Sequence, residues 1–122
     1  MNLFTPAEYT ANYASASVGK AKLPLSKLLL LGILSGFLIG FPSLVTNIAV
    51  YAIDNGSVVR ILSGVLFAFG LGMVVLTGAE LFTGNCLMII GVLDRRITAP
   101  GLLRNWSVVL LGNFLGSMLL SW

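Results

Sequence analysis

The sequence contains no histidine, a single cysteine and very few charged residues. Without histidine, Ser-His or Cys-His catalysis within the chain is excluded, and Cys86 alone can form neither an internal disulfide nor a metal site. Charged side chains make up 9% of the chain, against about 25% in a typical soluble domain. We therefore expect no enzyme, no cofactor and no metal, and a surface that only lipid tolerates.

Apolar side chains make up 57% of the chain, and its mean hydropathy is +1.01. The net charge is +3, but the cations form short clusters between apolar runs, which is typical of cytoplasmic loops rather than of a nucleic-acid interface. We expect a multi-pass protein of the cytoplasmic membrane, with its N-terminus in the cytoplasm and no nucleic-acid partner. The clusters are Lys20, Lys22 and Lys27, and Arg95, Arg96 and Arg104.

Three apolar runs predict an all-α membrane protein with three spans. They cover about residues 28–53, 58–93 and 102–122, and together form a transmembrane region at 25–122. The preceding segment, 1–24, is either an amphipathic helix at the membrane surface or a partly ordered tail. Glycines at four-residue spacing predict faces where helices approach closely. They are Gly32, Gly36 and Gly40 in the first run, and Gly112 and Gly116 in the third.

The second run is too long for one straight helix across a bilayer. A continuous helix over 58–93 would measure about 54 Å, whereas the hydrocarbon core is roughly 30 Å thick. Glycines and polar side chains interrupt the run near 77–85. The pattern predicts a helix from Val58 to about Leu76, an irregular loop, and a second piece from about Cys86 to Leu93. Such a loop survives at membrane depth only where protein buries it or it lines a wet cavity.

Glu80 is the carboxylate within this interruption, and an ionised group there needs partners. It either belongs to a permeation path or proton relay, or braces the loop by accepting hydrogen bonds from the loop's own N–H groups. We favour the bracing role for Glu80, because an anion channel gains nothing from a negative charge in its lumen. Gly78 is expected to support the structure of the same loop. Asn105 and Asn113 are expected to support the loop or a neighbouring helix by hydrogen bonding.

The residues after Glu80 carry neutral hydrogen-bonding groups. Thr83, Gly84 and Asn85 offer a hydroxyl, an accessible backbone and an amide that could donate to a small anion without trapping it. Alternatively, Thr83 or Asn85 caps the start of the second helical piece. Four apolar neighbours are candidates for hydrophobic gates or for ordinary packing and lipid-facing positions. They are Phe67, Leu71, Leu81 and Phe82.

Three sequence blocks resemble the formate/nitrite transporter family. They are Gly78–Asn85, Arg104-Asn105-Trp106 and Gly112-Asn113-Phe114-Leu115-Gly116, and the resemblance covers about residues 20–122. It implies an aquaporin-like fold of two inverted three-helix repeats and assembly as a homo-pentamer with one pore per protomer. It places Leu81 and Thr83 at a cytoplasmic constriction, and Phe67 and Leu71 on the pore side of the first half-helix.

The family resemblance also implies the substrates, which are formate, nitrite, hydrosulfide and related small monovalent anions, moved passively or with a proton. The family's central histidine and nearby lysine belong to the second repeat, so we expect this chain to be one half of a six-helix channel. It is either a fragment of a longer chain that supplies the second repeat or a split half that needs a partner, and we favour the fragment. A water or small neutral-solute channel is one alternative, although no Asn-Pro-Ala signature occurs. A noncatalytic membrane scaffold subunit is another.

Overall fold

The computed structural model describes residues 3–122, and every regular element in that range is helical. Residues 1 and 2 of the predicted N-terminal segment lie outside the described range. Six α-helices are joined by short turns and one 3₁₀ turn at Cys86–Met88. The helices are α1 (Pro6–Ala21), α2 (Leu25–Val50), α3 (Gly56–Thr77), α4 (Phe82–Asn85), α5 (Ile89–Leu93) and α6 (Ala99–Ser121).

Within residues 3–122, α2 and α3 are long and apolar enough to cross a membrane. Their 26 and 22 residues correspond to about 39 and 33 Å at 1.5 Å per residue, close to the hydrocarbon thickness. Helix α6 has 23 residues but carries Arg104, Asn105 and Asn113 among its apolar side chains. The all-helical prediction is therefore confirmed for residues 3–122, and the two apolar helices are consistent with a membrane protein. The first run begins and ends earlier than expected, at Leu25 and Val50.

The N-terminal segment forms a capped helix rather than a tail. Thr5 is the N-cap of α1, and Pro6 follows it in the first turn, where its missing N–H costs nothing. Thr5 N–H donates to Glu8 Oε2 (2.7 Å) and Glu8 N–H donates to Thr5 Oγ1 (3.3 Å), which completes a capping box. The hydrogen bonds from the Thr5 backbone, and then from its side chain, lower the pKa of Glu8.

The glycine stripes of α2 and α6 are close-packing faces, as their spacing predicts, and the structure shows that they pack against each other. A Cβ added at Gly112 would lie 3.0 Å from the Gly32 Cα, and one at Gly32 would lie 3.3 Å from the Gly112 Cα. Cβ atoms at Gly36 and Gly116 would collide with the opposite backbone, at Asn113 and at Ile33. The two helices therefore contact backbone to backbone, which brings the side chains of α6 within reach of the break after α3.

The second apolar run is interrupted between Thr77 and Phe82. Gly78 ends α3 in the left-handed conformation (φ 67°), which glycine adopts without steric cost, and its N–H bonds back to α3 carbonyls. The expectation that the second piece starts near Cys86 is wrong, because the helix resumes at Phe82. The reason is a contact between helices: Phe82 N–H donates to Asn113 Oδ1 of α6 (2.9 Å).

The N-cap position of α4 is Leu81, and no side chain of the loop itself caps it. The alternative in which Thr83 or Asn85 closes this helix start is therefore wrong as well. Local sequence could not reveal the cap, since its acceptor oxygen comes from a residue 31 positions away. The nonhelical stretch is thus shorter than predicted and consists of residues 78–81.

Candidate functional site

The backbone of the break is held between α2 and α6. Glu80 N–H donates to Leu31 O of α2 (3.2 Å). The Glu80 carbonyl accepts from Ser35 Oγ (2.7 Å) and from Asn113 Nδ2 (3.0 Å). Asn113 Nδ2 also donates to Gly32 O (2.9 Å) and Ser35 Oγ (2.8 Å). Both backbone polar groups of Glu80 are therefore satisfied by protein groups, as membrane depth requires.

The Glu80 side chain is buried and paired with a cation. The residue is 5% exposed, and Lys20 Nζ of α1 donates to its Oε1 (2.9 Å) and Oε2 (2.8 Å). Asn85 Nδ2 adds a hydrogen bond of 2.6 Å to Oε2. The Glu80 carboxylate therefore joins the break to α1, but the expected donors are wrong, because the bonds come from Lys20 and Asn85 rather than from the loop's N–H groups.

Two asparagines extend this ion pair into a network. Lys20 Nζ donates to Asn85 Oδ1 (3.0 Å), and Asn85 Nδ2 donates to Asn105 Oδ1 (2.9 Å). Trp106 Nε1 donates to Asn85 O (2.8 Å), and Asn105 Nδ2 donates to Lys20 O (3.3 Å). We call Lys20, Glu80, Asn85 and Asn105 the bracing cluster. Both N–H bonds of the Asn85 amide are used within it, which leaves that amide no free donor for an anion.

Lys20 and Tyr13 are not among the site residues predicted from the sequence. The pattern places Lys20 in a basic cluster of cytoplasmic loops, although a buried carboxylate calls for a nearby cation and Lys20 is among the few that the chain contains. Tyr13 OH of α1 donates to Gly84 O (2.7 Å). Burial, with the Glu80 charge second, raises the pKa of Tyr13 and so favours the neutral phenol that donates. Nothing in the local sequence of α1 indicated either contact.

Two clefts meet at the break. The α1-side cleft, about 590 Å³, is lined by Tyr13, Leu71, Gly78, Leu81, Thr83 and Gly84 together with members of the bracing cluster. The α2–α6 cleft, about 560 Å³, is lined by Gly40, Ser43, Asn47, Leu81, Asn113 and Ser117, among others. Leu81 borders both clefts.

The remaining candidate residues fall into two groups. Thr83 and Gly84 are exposed in the α1-side cleft, and the Thr83 hydroxyl has no hydrogen-bond partner among residues 3–122. Phe82 packs edge-to-face on Trp106, with ring centroids 6.1 Å apart. Phe67 is exposed on α3 and borders neither of the two clefts. Leu71, Leu81, Thr83 and Gly84 therefore line the α1-side cleft, whereas Phe67 and Phe82 line neither cleft.

A discontinuous membrane helix is a feature found at the binding sites of secondary transporters, and the break in this chain borders both clefts. The chain belongs to the formate/nitrite transporter family, whose model, described as "Formate/nitrite transporter", matches residues 7–122. The family resemblance inferred from the sequence blocks is thus confirmed. Because members of this family are channels and transporters, the chain is not an enzyme.

Three curated relatives illustrate the match. The chain is 32% identical to the probable formate transporter of Methanothermobacter thermautotrophicus, over 97% of this chain and 45% of the relative. It is 33% identical to the formate channel BtFdhC of Bacillus thuringiensis, over 100% of this chain and 48% of the relative. It is 38% identical to the uncharacterized transporter YHL008C of Saccharomyces cerevisiae, over 99% of this chain and 20% of the relative. The chain therefore spans less than half the length of each of these relatives.

Proposed function

We propose that this chain forms one half of a channel for small monovalent anions, with formate as the first candidate. The observation that carries the proposal is the position of Leu81, which borders both clefts at the only interruption of the second apolar run. Relatives named as formate transporters and formate channels support this substrate class. Nitrite and hydrosulfide are further candidate substrates, and passive and proton-linked transport both fit the proposal.

The charges around the break suit a passing anion. Lys20 neutralises the Glu80 carboxylate at 2.8 Å, so the anion meets no unpaired negative charge there. The free Thr83 hydroxyl can donate one hydrogen bond, which holds a small anion without trapping it. The Leu81 side chain then forms an apolar gate that excludes water. Leu71, on the wall of the α1-side cleft, contributes to the same constriction.

The proposal includes an architecture that goes beyond the two established apolar helices. Residues 1–24 form a cytoplasmic segment, and 25–122 hold three spans, of which α6 is the third. The cation clusters then lie on the cytoplasmic side of the cytoplasmic membrane. The rest of the polypeptide supplies an inverted second repeat, and five protomers assemble. The length of the relatives, more than twice the stretch matched, supports the second repeat.

The test is flux into proteoliposomes that contain the full-length gene product, with formate, nitrite, hydrosulfide and glycerol as solutes. Thr83→Val removes the hydroxyl at nearly constant volume, and we expect formate flux to fall about five- to tenfold, as for one lost hydrogen bond. Leu81→Ala widens the gate and should raise glycerol entry. The matched controls are Thr77→Val and Leu76→Ala, which alter residues that line neither of the two clefts.

Each outcome separates the alternatives. An anion channel is supported if the wild type takes up formate faster than glycerol and if formate flux falls in Thr83→Val but not in Thr77→Val. Glycerol passing as readily as formate would favour a neutral-solute channel. Equal formate flux in wild type, Thr83→Val and Leu81→Ala would remove both residues from the path. No flux above empty liposomes for any solute would favour the scaffold alternative.

A further inference from the structure

Three cations without acidic partners lie at one end of the helical bundle. Among residues 3–122 the salt bridges are Lys20–Glu80 and Arg96–Asp94. Lys22, Lys27 and Arg104 take part in neither, and all three are exposed. Lys22 and Lys27 flank the turn between α1 and α2, and Arg104 lies early in α6.

Arg104 is held against that same turn. Its Nη1 donates to Ala21 O (3.3 Å) and its Nη2 donates to Leu23 O (3.0 Å). These contacts place the guanidinium at the end of α1. Its two acceptor residues, Ala21 and Leu23, are the chain neighbours of Lys22. A guanidinium has five N–H donors, so three remain without an acceptor among residues 3–122. We call Lys22, Lys27 and Arg104 the basic patch.

An exposed apolar helix face begins directly beside the basic patch. Leu30 and Leu34 follow Lys27 at three- and seven-residue spacing, which puts them on its side of α2. Leu30 is 66% exposed and Leu34 is 39% exposed. The face therefore changes from cationic to aliphatic within about one helical turn, or roughly 5 Å along the axis.

We propose that the basic patch binds the anionic headgroup of a phospholipid, whose acyl chain lies along Leu30 and Leu34. The charges are complementary, since basic pockets beside membrane helices attract anionic headgroups. The guanidinium of Arg104 is already oriented by two carbonyls, and its planar fork matches the oxygens of a phosphate. The apolar face favours a lipid over free phosphate as the occupant, because an acyl chain covers Leu30 and Leu34 and a phosphate ion leaves them uncovered.

A bound lipid also stabilises the contact between α1 and α6. Arg104 is adjacent to Asn105 in the chain, and Ala21 is adjacent to Lys20, so the patch borders two members of the bracing cluster. Lipid binding itself does not depend on which solute the protein transports. Its test therefore distinguishes failure of this proposal from failure of the proposed channel function.

The test is native mass spectrometry of the full-length gene product released from nanodiscs that contain equal amounts of phosphatidylglycerol and phosphatidylcholine. The wild type should retain phosphatidylglycerol selectively. The Lys22→Gln/Lys27→Gln variant should retain about thirtyfold less of it, as expected for the loss of two cations near an anionic surface. Arg104→Lys keeps the charge but loses the fork, and should fall between the two. The control is Arg60→Gln, near the start of α3 at the opposite end of α2, which should match the wild type.

Two results would overturn the proposal. One is equal retention of the zwitterionic and anionic lipids by the wild type. The other is unchanged phosphatidylglycerol retention in the Lys22→Gln/Lys27→Gln variant, which alters only exposed side chains and so leaves the packing of the helices intact.

Discussion

Replacing Lys20 by methionine leaves the Glu80 carboxylate buried without a cation, because no other lysine or arginine among residues 3–122 pairs with it. Removing one partner of a fully buried ion pair costs about 3–5 kcal/mol. The Lys20 side chain is 27% exposed and that of Glu80 is 7% exposed, so solvent screens part of this interaction. We expect Lys20→Met to lower the free energy of unfolding by about 2–3 kcal/mol.

A double-mutant cycle isolates the pair. In Lys20→Met/Glu80→Gln no uncompensated charge remains, and the new amide can still bond with Asn85. We expect the double variant to be less destabilised than the sum of the two single variants, with a coupling energy of about 1–2 kcal/mol. Lys22→Met, in detergent without lipid, is the control, since Lys22 is exposed and makes no salt bridge. It should change stability by less than about 0.5 kcal/mol.

The assay is unfolding of the full-length gene product by SDS titration in mixed micelles, followed by circular dichroism. The result that refutes the reasoning is strict additivity in the cycle, because it would mean that Lys20 and Glu80 do not interact in the folded protein. A Lys20→Met variant as stable as Lys22→Met would have the same meaning.

Three further predictions use the described contacts. Gly116→Val should destabilise the protein by about 1–3 kcal/mol through overpacking against the α2 backbone. The control Gly64→Ala, with open space around it, should not destabilise the protein. An equal loss of stability for the two variants in SDS titrations would contradict the close packing of α2 and α6. Asn113→Ala removes the cap on Phe82 and the donors to α2, and should cost about 2–4 kcal/mol in the same titration; wild-type stability would contradict this role. Since the pKa of Glu8 is lowered in the folded state, the capping box stabilises α1 above the ordinary glutamate pKa and loses this effect as pH falls through the lowered value. An NMR titration of the Glu8 carboxyl should therefore give a pKa below that of Thr5→Ala, and identical values would contradict the cap.

Short-range information in the sequence was enough for the membrane character and for the place where the break begins. Nearly continuous apolar runs exclude a soluble fold, and their lengths follow from the thickness of the bilayer. Gly78 ends α3 because of its own backbone freedom, which is a local property. Glycines at four-residue spacing likewise indicated a close-packing face on the first run and another on the third, but not that the two faces meet. The family blocks lie in these same segments, and the family was therefore identifiable from the sequence.

The contacts that organise the site join residues far apart in the chain. Lys20 and Glu80 are 60 positions apart, and Tyr13 and Gly84 are 71 positions apart. Among several cations, sequence gives no means of choosing the one that reaches a buried carboxylate. That choice depends on the angle at which α1 lies against the break, and it decides that the Asn85 amide serves the bracing cluster rather than a passing anion.

The sequence by itself determined that the chain is a membrane protein, that its second apolar run is interrupted near 77–85, and that it belongs to the formate/nitrite transporter family. These properties follow from hydropathy, glycine backbone freedom and local motifs, which act over a few residues. Only the tertiary structure decided that the helix resumes at Phe82 under the Asn113 cap, that Lys20 pairs with Glu80, and that Leu81 borders two clefts. Those features depend on how α1, α2 and α6 pack, because a buried polar group is satisfied by whichever partner the packing brings within hydrogen-bonding distance.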